Sequence, residues 1–443
     1  MKKKSFLCIL LFFLFWTTQS GRAVHAMPPI QRIDLPNQLV LLVSEEHSLP
    51  LVTIQILINS GSRLDPLGKE GLANLTSNSL LLGTFKHTIT SLNEELDFMG
   101  ASLATSCSRD YTVLTLRILK KDLFKGFNLL TEVLMRPTFP ENELEREIQR
   151  TLGAIKSAEQ KPMEVAEKSF RKALFLGSPY GHPVEGTKDS LSKLTREEVS
   201  QFYEAYYHPN NAIMSIVGDI TVDDIKEKII PCLTEWPAAK IQREEVVTQF
   251  AKGPEVVKID RNISQANIIL GQAGISRVNP DYYTLTVMNY ILGGGGFASR
   301  LLEEIRNKRG LAYSVTSFFD AGKFPGSFQV IIETKNPSAG EAIDIALHQL
   351  KLIRGVPVTE KELEGAKKYF VGSFPMRFDT QMKLAGFLVQ LEYYHLGLDY
   401  FDKYSSLINS VTSEDVLRAA KKYLHPEDYI LVVVANLKEA GMD

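Results

Sequence analysis

Cysteine is scarce: there are three in 443 residues, and one of them, Cys8, lies inside an N-terminal apolar run. That excludes a disulfide framework, and Cys107 and Cys232 read as buried free thiols. Neither has a histidine near it in sequence to raise a nucleophile. Histidine is thin as well. Seven of the eight lie beyond residue 26, and no two of these fall within five residues of each other. Paired imidazoles one helical turn apart, the usual start of a zinc site, therefore occur nowhere. Charge of one sign is also missing, with 50 basic against 52 acidic residues, which argues against nucleic acid or an anionic membrane surface as partner. The one long apolar run, Phe6 to Trp16, has eleven residues, short of the roughly 20 that cross a bilayer. Familiar catalytic signatures are absent too. Gly177-Ser178-Pro179-Tyr180-Gly181 has its serine in the wrong place for a nucleophile elbow. The Gly293–Gly296 run is not followed by Lys and Ser/Thr, so it reads as a flexible turn and not a phosphate loop.

What is present begins with a secretory pattern. Lys2, Lys3 and Lys4 precede the apolar run, and Val24-His25-Ala26 is a small-x-Ala cleavage site. Residues 1–26 are expected to be a signal peptide and the mature chain to be periplasmic or secreted. The rest repeats itself. Leu194 to Asp219 and Val411 to Asn436 align at a constant offset of 217 residues. Each opens on a threonine N-cap (Thr195, Thr412) with a carboxylate three residues on (Glu198, Asp415), the capping-box pattern. Each then runs through an amphipathic helix into Tyr-x-His-Pro and ends in an apolar strand. Pro140–Glu145 and Thr359–Glu364 match at an offset of 219 and open long helices with early acids. Two halves follow, 27–235 and 256–443. The polar stretch 236–255, broken by Pro237, Gly253 and Pro254, is the linker. Alternating segments (51–57, 111–119, 266–271, 327–332) predict strands, and 121–135, 141–175, 282–292 and 339–353 predict helices. They do not alternate as βαβ units. The expected class is α+β: two homologous halves, each a mainly antiparallel sheet with helices packed on one face.

Several stretches, in order over about 400 residues, carry a family resemblance. Gly61-Ser62-Arg63-x-Asp65, Gly71-Leu72-Ala73 and Leu82-Gly83-Thr84 frame a helix. Tyr180-Gly181-His182-Pro183, Gly186-Thr187, Tyr207-His208-Pro209-Asn210-Asn211 and Val217-Gly218-Asp219 follow. In the second half come Ser299-Arg300-Leu301 and Arg306 to Ser314. Together they resemble the pitrilysin/insulinase-type (inverzincin) metallopeptidases, in the arrangement of the mitochondrial processing peptidases. In that family the framed helix carries H-x-x-E-H: two histidines bind zinc and the glutamate activates water. Here those positions hold Asn74, Leu75, Thr76, Ser77 and Asn78. A carboxamide is a feeble zinc ligand beside imidazole, and a serine hydroxyl cannot act as the base. The third ligand comes from a stretch roughly 75 residues on, which here is Leu152-Gly153-Ala154-Ile155, with no carboxylate.

The resemblance implies what remains. An Arg and a Tyr seven residues apart, here Arg306 and Tyr313, reach an active cleft, hold the substrate backbone and stabilise the oxyanion. Arg300 is a weaker candidate for the same role, the alternative being that it caps or positions the Arg306 helix. Some family peptidases divide the work, one subunit holding zinc and the other the Arg/Tyr pair. The resemblance therefore implies a non-catalytic subunit acting on peptides or unfolded proteins. It would hold no cofactor itself, with zinc only in a homologous H-x-x-E-H partner. The alternatives are a catalytically inactive binding or assembly protein of the same fold, or a stand-alone enzyme, for which no constellation is found.

Overall fold

The computed structural model describes residues 29–242 and 248–443, so the expected signal peptide lies outside the described residues. Each half is built on one sheet. The first comprises β1 (Ile30–Asp34), β2 (Val40–Glu45), β3 (Leu51–Ile58), β4 (Ser102–Cys107), β5 (Thr112–Leu119) and β6 (Ala212–Gly218), in the order β1-β2-β6-β3-β5-β4. The second comprises β7 (Glu255–Asp260), β8 (Gln265–Ala273), β9 (Ala312–Asp320), β10 (Ser327–Lys335) and β11 (Ile430–Ala435), in the order β7-β11-β8-β10-β9. Every pairing is antiparallel except β2 with β6 and β7 with β11. The second sheet is the first without its edge strand β1. The 217-residue repeat now has a structural meaning, because β6 and β11 occupy the same place in the two sheets. The helices before them, Arg196–Tyr206 and Ser413–Tyr423, carry the two expected capping boxes, on Thr195/Glu198 and Thr412/Asp415.

The predicted 141–175 helix is two helices, Glu141–Ala158 and Pro162–Leu174. Pro162 explains the break. It has no N–H to continue the ladder, and it pushes Lys161 out of the helical region, to φ −95° and ψ 113°. The break sends the second helix away from its own half. Its Ala166, Phe170 and Leu174 stripe lies over Ile269, Ile430, Val432 and Val434 of the second sheet. The second half returns the arrangement. Helix Gln381–Tyr393 lies over β3 and β6, burying Ala385, Leu388 and Val389, and the Ser215 hydroxyl donates to the Ala385 carbonyl at 2.9 Å. Each sheet therefore has its own helices on one face, as expected, and one helix of the other half on the opposite face. This is why β11 is buried along its whole length and reads as the unbroken run Ile-Leu-Val-Val-Val-Ala.

Polar groups lock the joint. Asp110 accepts from the Tyr180 hydroxyl and, at 2.8 Å, from the Lys323 backbone N–H, with the Arg63 Nε 3.8 Å away. The Asn59 side-chain oxygen accepts from Arg63 at 2.8 Å and from the Tyr393 hydroxyl at 3.2 Å. Arg171, on the exchanged helix, pairs with Asp320 of β9 at 2.9 Å. Trp236 closes the first core and donates to the Tyr207 carbonyl at 3.1 Å.

Candidate functional site

The helix at the degenerate metal position is Leu72–Ser79. Its start is held by Asp65, whose carboxylate accepts from the backbone N–H groups of Gly71 and Ala73, both at 2.7 Å. This is the reason for an acid seven residues before the helix: it satisfies orphan N–H groups and faces the positive end of the dipole. Burial pushes the Asp65 carboxyl up to about 8, against the pull of those two bonds. Gly71 sits at φ 96°, and a Cβ on it would meet the Glu185 carbonyl oxygen at 2.7 Å. Gly186 crosses at the same point with φ 81°, so the two glycines let the 180–187 loop close over the helix start. The Ser190 hydroxyl ties that loop to the Glu70 carbonyl at 2.7 Å.

Asn74 and Asn78 are half-buried and one turn apart, and Ser77 is fully buried, its hydroxyl without a partner among the described residues. Ala154 is exposed on helix Glu141–Ala158 and offers no donor atom. The carboxylate that does reach this helix is Glu147, seven residues before Ala154 and so on the same face two turns earlier. Glu147 is only 6 % exposed. It accepts from the Asn78 Nδ2 at 2.9 Å and is gripped by Arg150 through Nε at 2.7 Å and Nη2 at 2.5 Å. Those bonds raise the Arg150 guanidinium above its ordinary range. A neutral amide and a guanidinium thus take both oxygens of the nearest acid, and the fixed positive charge of Arg150 opposes a metal cation there. These residues do not fit zinc. No group of three or more His, Cys, Asp or Glu able to hold a metal occurs among the described residues. The sequence sign that points to Glu147 is its seven-residue spacing from Ala154.

The other candidates lie on the second half. Arg306 is on a wide helical turn, Glu303–Asn307, with its guanidinium over the Phe297 ring at 5.3 Å. Tyr313 is the second residue of β9, the edge strand of its sheet. Tyr313 and Phe297 are each 73 % exposed. Among the described residues, the Arg306 side chain forms no ion pair or hydrogen bond, and the Tyr313 hydroxyl has no partner. Arg300 is different: it grips Glu362 with two bonds, at 2.6 and 2.9 Å. Glu362 also caps helix Glu360–Ser373 through Thr359. Burial alone would raise the Glu362 carboxyl, but the Arg300 and Thr359 donors bring it down to about 2. The Gly293–Gly296 run is packed at Gly293 and open at Gly296, which sits at φ 56° with nothing near a Cβ there. A Cβ on Gly293 would meet the Ser317 hydroxyl at 2.4 Å and its backbone N at 2.9 Å, so glycine lets this turn lie against β9. Among the described residues, no bond or ring contact joins the Arg306–Tyr313 group to Asn74, Ser77 or Asn78. Cys107 and Cys232 are free, and burial pushes the Cys107 thiol up to about 12, away from nucleophilic use.

This geometry agrees with the comparisons to known proteins. Residues 40–188 match the model of the insulinase family, peptidase family M16, and residues 193–370 match the peptidase M16 inactive domain. The chain belongs to the M16 (insulinase) family. It is 26 % identical to the "Non-peptidase homolog YmxG" of Helicobacter pylori, over 98 % of this chain and 99 % of that one. It is 23 % identical to the mitochondrial-processing peptidase subunit beta of Blastocladiella emersonii, over 94 % and 90 %. The crystal structure of a peptidase M16 inactive domain from Pseudomonas fluorescens superposes with a TM-score of 0.85 at 26 % identity, covering 92 % of this chain and 98 % of that chain.

Proposed function

We propose that this chain is the non-catalytic, substrate-binding subunit of a heteromeric zinc-dependent endopeptidase of the periplasm or cell exterior. Its partner is a homologous chain bearing H-x-x-E-H, and zinc is bound by that partner alone. Arg306 and Tyr313 act in trans on the partner's site, the guanidinium fork and phenol holding the peptide and the developing oxyanion. The substrate is a peptide or unfolded protein that adds as a strand to a free sheet edge, read mainly through its backbone. The edges at β4 and β9, each with a ladder partner on one side only, suit that mode. One contrast carries the reading. The metal position is closed by Asn78–Glu147–Arg150, while Tyr313 stands exposed and Arg306 half-buried against Phe297, both without a hydrogen-bond or ion-pair partner among the described residues.

The test is cleavage of an unfolded peptide by the purified two-chain complex with Arg306→Ala and Tyr313→Phe in this chain. Losing donors of this kind costs about 10²–10³ in kcat each. Full activity in the double variant would refute the role in trans. It would leave the second reading, an inactive binding or assembly protein of the same fold.

A further inference from the structure

A cavity of about 360 Å³ opens on the second half beside helix Gln381–Tyr393. Three cations line it (Arg277, Arg377 and Lys383) and, among the described residues, no Asp or Glu does. Lys383 is neutralised outside the cavity wall by Asp379 at 2.7 Å. The two arginines have no carboxylate partner among the described residues. They are held instead by phenols: Arg277 Nη2 donates to the Tyr400 hydroxyl at 3.1 Å, and Arg377 Nη2 to the Tyr404 hydroxyl at 2.9 Å. Tyr400 and Tyr404 are one turn apart on helix Tyr400–Asn409, with ring centroids 5.7 Å apart. Both guanidinium groups line the one cavity. Arg277 is further flattened against Tyr282, 3.9 Å from its centroid, and Arg377 lies 5.0 Å from the Tyr404 centroid. Stacking of this kind fixes the plane of the guanidinium and leaves its N–H edge pointing outward.

Two positive charges line one cavity with no carboxylate beside them among the described residues, and their N–H forks are met by neutral phenols rather than by an anion. An oxyanion in the cavity would answer both deficits, and a doubly charged one would match two guanidinium groups through paired bonds. Tyr394 and Phe387 add aromatic wall. The volume falls within the roughly 300–1,000 Å³ typical of small-molecule sites, larger than an inorganic anion needs. We propose that this cavity binds a small phosphomonoester with an aromatic or apolar body, the phosphoryl group between Arg277 and Arg377 and the body against Tyr394 and Phe387.

Titration calorimetry on the full mature chain tests this, with phenyl phosphate as probe beside inorganic phosphate and benzoate. Phenyl phosphate is expected to bind at one site, at least tenfold more tightly than either comparison compound. Arg377→Gln lies on an exposed residue and should leave the fold intact while weakening binding at least tenfold. Arg277→Gln should do the same, and because its side chain is packed among tyrosines its folding is checked by thermal melting. No binding of phenyl phosphate at millimolar concentration would overturn the proposal. So would unchanged affinity in Arg377→Gln, or benzoate binding as tightly as phenyl phosphate.

Discussion

Replacing Phe170 with alanine should loosen the second half of the molecule although Phe170 belongs to the first. The ring is fully buried on helix Pro162–Leu174 and rests on the second sheet, where a Cβ on Gly271 would meet its Cζ at 2.5 Å. Glycine at 271 thus makes the floor on which the ring lies. Truncation leaves a cavity between that helix and β8 and β11, and Phe→Ala at such sites costs about 3–5 kcal/mol. At 1.4 kcal/mol per tenfold, slow amide exchange in β8 and β11 should accelerate by about 10²–10³-fold or more. The companion change Gly271→Ala should also destabilise, by forcing the ring and the Phe328 carbonyl oxygen apart. The double variant should cost less than the sum of the two single variants, because the ring clash has gone. Hydrogen exchange resolved by segment is the assay. Acceleration below tenfold, or confined to residues 162–174, would refute the idea that each half completes the other's core.

Three other changes test separate joints of the account. Glu147→Ala should cost about 1–2 kcal/mol by stranding the Asn78 amide and the guanidinium of Arg150, read as a shifted urea midpoint; no shift would mean the trio is an idle surface contact. Glu362 should contribute an acid limb to stability. Its folded value of about 2 lies below the ordinary 4.5, so the contribution is present above pH 4.5 and is lost as pH falls toward 2. With solvent screening the pair is worth about 1 kcal/mol, and Arg300→Ala should flatten that limb in melts between pH 4.5 and 2. Cys107 should resist thiol reagents at pH 8 in the folded chain, because its thiol is pushed up to about 12, and should react only on unfolding.

Much of the architecture was legible because it is written in local chemistry. The capping boxes at Thr195 and Thr412, the strand alternation and the 217-residue repeat each follow from rules acting within a few residues. The exchange of helices was not legible. Ala166, Phe170 and Leu174 announce a buried face, but a stripe at helical spacing does not say which sheet covers it. Pro162 was in view and marked the break that makes the exchange possible. The runs at β6 and β11, apolar on both faces, hinted that something must lie on each side of the sheets. At the site, Asn74, Ser77 and Asn78 told of a missing metal set from the sequence alone. The Asn78–Glu147 bond needed two helices brought together by residues 69 apart in sequence. The Arg277–Arg377 cavity needed four segments brought together, and nothing in any one of them marks it.

The most direct test of the central claim is zinc content and peptide cleavage, measured on the purified chain alone and then after assembly with a homologous H-x-x-E-H chain. The division of labour requires no stoichiometric zinc and no cleavage from this chain alone. It requires one zinc per pair in the assembly, with cleavage that falls when Arg306 and Tyr313 are changed. Stoichiometric zinc and cleavage by this chain on its own would contradict it.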